Sequence, residues 1–168
     1  KLRVRELIFV RQLLPVRASF EALDPKDRVG PILTDVKASG VMLSDVWVET
    51  ADSPDGEQLR AFARSFESAM ATALKREKRF DARSMHRLHL FAHSGTQIDV
   101  SIATHAETAP WKGGIPRLRF PSDAPSRSTL KLEEAFLVLL DDDERGRWLQ
   151  PGMTAVDLGA CPGGWTYQ

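Results

Sequence analysis

Leu59, Phe62, Ala63, Phe66, Ala69, Met70, Ala73 and Leu74 recur at intervals of three and four residues. That spacing predicts a long amphipathic helix whose apolar stripe must be buried. The preceding "DSPDGEQ" supplies a start: Ser53 or Asp55 as cap, Pro54 at the first helical position if Ser53 caps, and Gln58 three residues after Asp55. The solvent face is basic, with Arg60, Arg64, Lys75, Arg76 and Lys78. The phenylalanines and Met70 are core residues on this reading, not a cofactor stripe.

The flanking segments read as the sheet this helix needs. "DVWVET" (45–50) is a short strand, and 86–91 and 98–103 form a hairpin turning at Ser94-Gly95. Residues 7–16, "LIFVRQLLPV", read as a further buried strand. Asp24-Pro25 suits a helix start, and Val29, Ile32, Leu33 and Val36 give that helix an apolar face ending at Gly40, with Pro31 a point where it can break. Strand, helix, strand, helix, strand, strand describes a small α+β domain, with a boundary expected at 1–108.

The histidines do not make a metal site. His89 and His93 are four apart, which on a strand spans about 13 Å. His86 and His89 fall on opposite strand faces.

A chain of 168 residues has room for one ordinary domain or two small ones. With 42% hydrophobic and 27% charged residues it has the balance of a folded protein. No stretch approaches the roughly 18 apolar residues of a membrane helix, and "KLRVRELIFV" has no secretion-signal pattern. The single cysteine, Cys161, excludes an internal disulfide and a zinc cluster and points to a reducing cytoplasm.

The formal net charge is zero, but the charges are segregated. Cations outnumber acids by five to one in 1–17, eight to three in 60–87 and five to one in 110–131, which is enough local excess to attract phosphate. Solvated helix faces account for the same pattern.

Residues 109–126, "APWKGGIPRLRFPSDAPS", hold four prolines and two glycines and read as a basic linker. Its Trp111 and Phe120 either stack nucleic-acid bases between cations or staple the linker to a neighbouring domain. Residues 127–140 form a helix capped by Ser126 or Ser128, with Leu132, Ala135, Phe136 and Leu139 toward a core. "DDDERGRWLQPG" turns the chain, and "TAVDLG" reads as a strand of the kind buried in a parallel sheet.

That strand runs into "GACPGGWT". Gly159, Gly163 and Gly164 do not fit the G-x-G-x-x-G of a dinucleotide site. They fit a P-loop except at its lysine, where Trp165 stands, and the loop then forgoes the charged contact to triphosphate. S-adenosylmethionine fits better. It is a sulfonium without phosphate, so it asks for close backbone approach, groups for its ammonium and carboxylate, and no adjacent lysine. The three glycines give approach, Pro162 stiffens the turn, and Asp157 offers charge to the ammonium.

"DLGACPGGWT" resembles motif I of the FtsJ-like ribose 2′-O-methyltransferases, and "SRSTLKLEEAF" (126–136) resembles their "SRxxxKLxE" helix just upstream. The stretch from Gly114 onward resembles most closely the bacterial members that modify a cytidine of 23S ribosomal RNA. The upstream part resembles their THUMP-type RNA-binding region more loosely, through "VETADSPDGEQLRAFARSF".

The resemblance implies a THUMP-like α+β domain, the linker, and from 127 to 168 the start of a Rossmann-like α/β methyltransferase domain. It implies S-adenosylmethionine as cofactor, held by Ser128, Cys161, Pro162, Gly163 and Gly164, to which the chemistry of the turn adds Asp157 and Gly159. It gives Lys131 the place of the first lysine in a Lys-Asp-Lys-Glu catalytic tetrad, whose other members are expected beyond Gln168. The family's ferredoxin-like segment is likewise expected before Lys1. A ribose oxygen attacks methyl directly, so Cys161 is expected to pack the loop and not to act as nucleophile. The expected partner is 23S ribosomal RNA, with no membrane, and the intact enzyme is expected to be a cytoplasmic monomer. The chain as it stands, with one strand and one loop of the pocket, is expected to bind the cofactor weakly and to self-associate through "TAVDLGA". A non-catalytic RNA-binding module is the alternative for residues 1–108.

Overall fold

A βαβ unit sets the architecture of the N-terminal part of the chain. In the computed structural model, which describes Leu7 and residues 10–168, the chain divides into two compact units, Lys1–Ile115 and Pro116–Gln168. In the first, β1 (Ala18–Phe20), α1 (Val29–Ala38), β2 (Asp45–Thr50), α2 (Pro54–Gln58), α3 (Arg60–Arg76), β3 (His86–Ala92) and β4 (Ile98–Thr104) follow in order. The strands make one sheet in the order β1-β4-β3-β2. β2 runs parallel to β3, Val46 opposite Leu88 and Val48 opposite Leu90. A parallel pair needs a long crossover, which α2 and α3 provide. β3 and β4 form the antiparallel hairpin, and β1 closes the other edge antiparallel to β4.

The stripe on α3 does what its period demands. Ala63, Phe66, Met70, Ala73 and Leu74 are buried, together with Ile32, Leu33 and Val36 of α1 and Val46, Val48, Leu88, Leu90 and Val100 of the sheet. Ala69 faces solvent. Ser53 caps α2, accepting from Gly56 N at 3.2 Å. The helix expected to be continuous breaks at Leu59 into α2 and α3.

The strand expected over 7–16 is not formed. Ile8 and Phe9 lie outside the described residues; the others carry no strand pairing, and Leu13 and Val16 are exposed. The edge strand falls instead at Ala18–Phe20, where β4 offers partners. α1 starts later than expected. Asp24 accepts from Lys26 N in a turn, while Asp27 Oδ1 accepts from Gly30 N at the helix start. Pro31 sits in the first turn, where its missing N–H breaks no bond, and the helix continues to Ala38.

The opposite face of the sheet is polar and roofed by loops. Trp47 and Arg87 stack there, the guanidinium carbon 3.3 Å from the ring centroid, and Arg87 Nε lies 3.3 Å from Asp45. Burial lowers the pKa of Arg87 and the neighbouring Asp45 opposes the shift. Ser101 Oγ donates to the Pro15 carbonyl (2.6 Å), and Ala109 N donates to Gln12 Oε1 (2.8 Å). A short 3₁₀ turn at Lys112–Gly114 is gripped by two carboxylates. Glu49 Oε1 accepts from Gly113 N at 2.5 Å. Glu67 Oε2 accepts from Val48 N at 2.7 Å and from Lys112 Nζ. The first residues of the expected linker thus belong to the first unit.

The second unit holds α4 (Ser128–Leu139), α5 (Asp142–Trp148) and α6 (Gly164–Tyr167). The expected turn at 141–148 is a helix. Asp141 and Glu144 form a reciprocal capping box, acids fill the first turn, and Arg145 and Arg147 the last. "TAVDLG" is not a strand: no described strand pairs with it, and Val156 and Leu158 are 80% and 91% exposed. A strand of this apolar type gains its ladder bonds and burial only from neighbours on either side. Leu132, Ala135 and Phe136 are half-buried, and Leu139, expected inside, is exposed. No described helix is long and apolar enough to cross a membrane.

Candidate functional site

The site in the second unit is built where the start of α4 meets the glycine turn. Ser126 Oγ accepts from Ser128 N (3.3 Å) and shares a 2.5 Å hydrogen bond with Ser128 Oγ. Gly164 is buried against this pair. A Cβ there would stand 2.0 Å from Ser128 Oγ and 2.3 Å from Ser126 Oγ, so only glycine permits the approach. Thr129, fully buried, donates from Oγ1 to the Gly164 carbonyl at 2.8 Å.

The turn is closed on itself as well. Gly163 adopts the left-handed conformation at φ 96°, which a side chain would strain, and hands the chain to α6. Its N–H donates to the Ala160 carbonyl, and its carbonyl accepts from Tyr167 N at 2.9 Å. Thr166 Oγ1 donates to Asp157 Oδ2 at 2.8 Å, tying the two ends of the turn together. A hydrogen bond with Asp123 raises the pKa of the Tyr167 phenol.

Of the residues expected to bind the cofactor, Ser128, Gly163 and Gly164 are therefore brought together. Asp157 is held by Thr166 and not by α4. Gly159, Cys161 and Pro162 lie exposed along the turn, the last two joined by a cis peptide bond. Lys131 is exposed on α4, three residues beyond Ser128 and so on the same helix face. Thr129 and Thr166 were not singled out by sequence. Thr166 occupies the hydroxyl position of the near-P-loop pattern, which is the signal that marks it; Thr129 has none.

The donor set suits a sulfonium amino acid. The turn from Asp157 to Gly164 carries no lysine or arginine. It presents one carboxylate, the serine hydroxyls stand beside it, and its glycines let a ligand reach backbone.

A second polar cluster lies in the first unit. His89 Nδ1 is 3.1 Å from Glu49 Oε2, both side chains being almost fully buried. Trp47 meets the imidazole edge-on. His89 Nε2 has no described hydrogen-bond partner. With Glu49 also holding Gly113, this is a structural clamp. No group of three or more potential metal ligands occurs among the described residues.

Comparison with known proteins finds methyltransferases along both parts of the chain. Residues 124–168 match the family model for FtsJ-like methyltransferases, and residues 27–103 match that for the N-terminal region of ribosomal RNA large subunit methyltransferase M. The chain is 47% identical to ribosomal RNA large subunit methyltransferase M of Stenotrophomonas maltophilia strain K279a, over 99% of this chain and 48% of the relative. It is 45% identical to the protein of the same name from Xanthomonas oryzae pv. oryzae strain PXO99A, over 99% of this chain and 49% of the relative. The chain is thus similar to ribosomal RNA large subunit methyltransferase M along nearly all of its length and spans about half the length of the curated relatives it matches.

Proposed function

We propose that the full-length protein transfers a methyl group from S-adenosylmethionine to ribosomal RNA, its acceptor the ribose 2′-hydroxyl of a cytidine in 23S RNA. The observation that supports this best is the seating of Gly164 on Ser126, Ser128 and Thr129, which joins the two motifs of an FtsJ-like domain into one surface. The cofactor, when bound, supplies an electrophilic methyl group on a sulfonium.

The chain's own residues divide the work. Gly163 and Gly164 offer backbone at close range, and Ser128 offers a hydroxyl. Asp157 has one oxygen held by Thr166 and the other left for an ammonium group. Gly159, Cys161 and Pro162 shape the turn, and a direct attack on methyl leaves Cys161 no covalent role. Lys131 positions the ribose hydroxyl and stabilises charge as it develops on oxygen. A THUMP-like first unit holds the RNA. The second unit is part of a Rossmann-like domain. On this reading the enzyme works in the cytoplasm as a monomer.

The test is methyl transfer by the full-length protein. Lys131→Ala should lower incorporation by about a hundredfold or more while leaving cofactor affinity intact. The product should resist alkaline cleavage at the modified nucleotide, as a 2′-O-methyl ribose does. A methylated base, or near-normal turnover by the variant, refutes the assignment.

A further inference from the structure

We propose that the end of the first unit formed by the last turn of α3 and the loop to β3 is a docking surface for the RNA phosphate backbone. This rests on the methyltransferase reading and names where in this chain the polyanion is held.

Six cations gather there, Lys37, Lys75, Arg76, Lys78, Arg79 and Arg83, against only two acids, Glu77 and Asp81, in a chain with no net charge. Glu77 is already engaged. Lys37 Nζ lies 2.7 Å and Arg76 Nε 3.7 Å from it. The hydrogen bond from Lys37, then its charge, holds the Glu77 carboxyl below its usual range. Asp81 Oδ1 accepts from Arg83 N (2.9 Å), a backbone contact that leaves the guanidinium free of it. Lys75 lies over the Phe80 ring, 5.2 Å from its centroid. Lys78, Arg79 and Arg83 have no acidic partner among the described residues.

Several described cations elsewhere in the first unit are spent internally. Arg11 pairs with Asp52, Arg17 with Asp35, Arg87 with Asp45 and Lys112 with Glu67. Arg28 donates to the Gly95 and Pro25 carbonyls.

The surface is also rigid, which lowers the ordering cost of binding. Lys78 takes the left-handed conformation at φ 54°, and Arg79 N bonds back to the Leu74 carbonyl (2.9 Å). Leu43 N donates to Arg79 O (3.0 Å), Asp81 N to Leu43 O (2.8 Å) and Ser84 Oγ to Met42 O (2.6 Å). Long cationic side chains thus stand on a stitched double loop, with Met85, 63% exposed, beside them. Scattered ammonium and guanidinium groups with little apolar area suit phosphates better than a protein partner, whose interface would need a packed apolar centre.

The test is binding of this chain to a fluorescently labelled RNA hairpin over a series of KCl concentrations. The variant Arg76→Gln/Lys78→Asn/Arg83→Gln removes three charges. Asparagine tolerates the left-handed position. Affinity should fall by about tenfold or more, and the log–log salt slope should lose about 0.9 for each duplex phosphate contact given up. Arg60→Gln, at the other end of α3, should bind as the parent does. The single variant Arg83→Glu repeats the measurement if the triple variant melts early. An unchanged slope and affinity, or a parent chain that binds polyglutamate and not RNA, overturns the proposal. Methyl transfer by the full-length protein separates the two readings. If the parent transfers methyl and the triple variant does so with unchanged KM, the surface is wrong and the methyltransferase reading stands. If the parent transfers none, that reading fails.

Discussion

The hydroxyl of Thr129 donates to the carbonyl of Gly164 at 2.8 Å across 35 positions of sequence. Both residues are buried in a unit that buries little else. Thr129→Val keeps the shape and deletes the donor, leaving a buried carbonyl without its partner. The expected loss is about 1–2 kcal/mol of stability. Cofactor affinity of the full-length protein should fall with it, because the turn is no longer fixed to α4. Urea unfolding and calorimetry on the variant measure both, and a variant as stable as the parent would show that the contact contributes nothing.

The buried carboxylate of Glu49 ties His89 to the amide of Gly113. Glu49→Ala leaves both without a partner on the loop-covered face of the sheet. Its expected cost is about 1–3 kcal/mol, the scale for leaving a buried hydrogen-bonding group without its partner. The specific sign is amide exchange: the Gly113 N–H should lose its protection while the amides of β3 and β4 keep theirs. Retained protection at Gly113 would mean that the turn is held by Lys112 and Glu67 alone.

What could be read from sequence was what is local. The stripe on α3 and the hairpin at 86–104 are set by periods of a few residues, and both stand where their patterns put them. β1 was misplaced because three residues, Ala18–Phe20, carry no period of their own; β4 chooses them as partners. The apolar run at 7–16 looked more strand-like, yet its described residues lack a neighbour to pair with. "TAVDLG" misled in the same way, since hydrophobicity marks a strand only where a sheet receives it. The missed α5 was legible: Asp141 and Glu144 have the spacing of a capping box. In the site, the glycines were visible through motif spacing and Ser128 through the family resemblance, whereas Thr129 and the clamp at Glu49 depend on contacts between distant segments.

Asp99 sits on the exposed end of the hairpin. Its carboxyl accepts from Ser19 Oγ (2.6 Å) and lies 2.8 Å from His93 Nε2. These bonds, Ser19's first, hold its pKa below the usual carboxylate value. A depressed folded-state pKa adds stability above the unfolded value of about 4, and that stability is lost as pH falls through the folded value. Asp99→Asn should therefore be less stable than the parent at pH 6, with the gap closing below about pH 4. Urea midpoints across this range check it; a gap that widens on acidification would reverse the sign and refute the assignment.

Gly164→Ala places a methyl group on two serine hydroxyls at once. The hydroxyls must rotate away and give up their mutual bond, or α6 must lift from α4. A cost of about 1–3 kcal/mol is expected, as for overpacking elsewhere. The cycle with Ser126→Ala/Ser128→Ala separates the two responses. Removing both oxygens leaves Ser128 Cβ, at 3.3 Å, as the nearest atom to the new methyl. If the clash with the hydroxyls is the cause, Gly164→Ala should cost well under half as much in that background, a coupling that thermal unfolding resolves. Equal costs in both backgrounds would place the strain in the backbone of the turn, at Gly163 and the start of α6, and not in the serine pair.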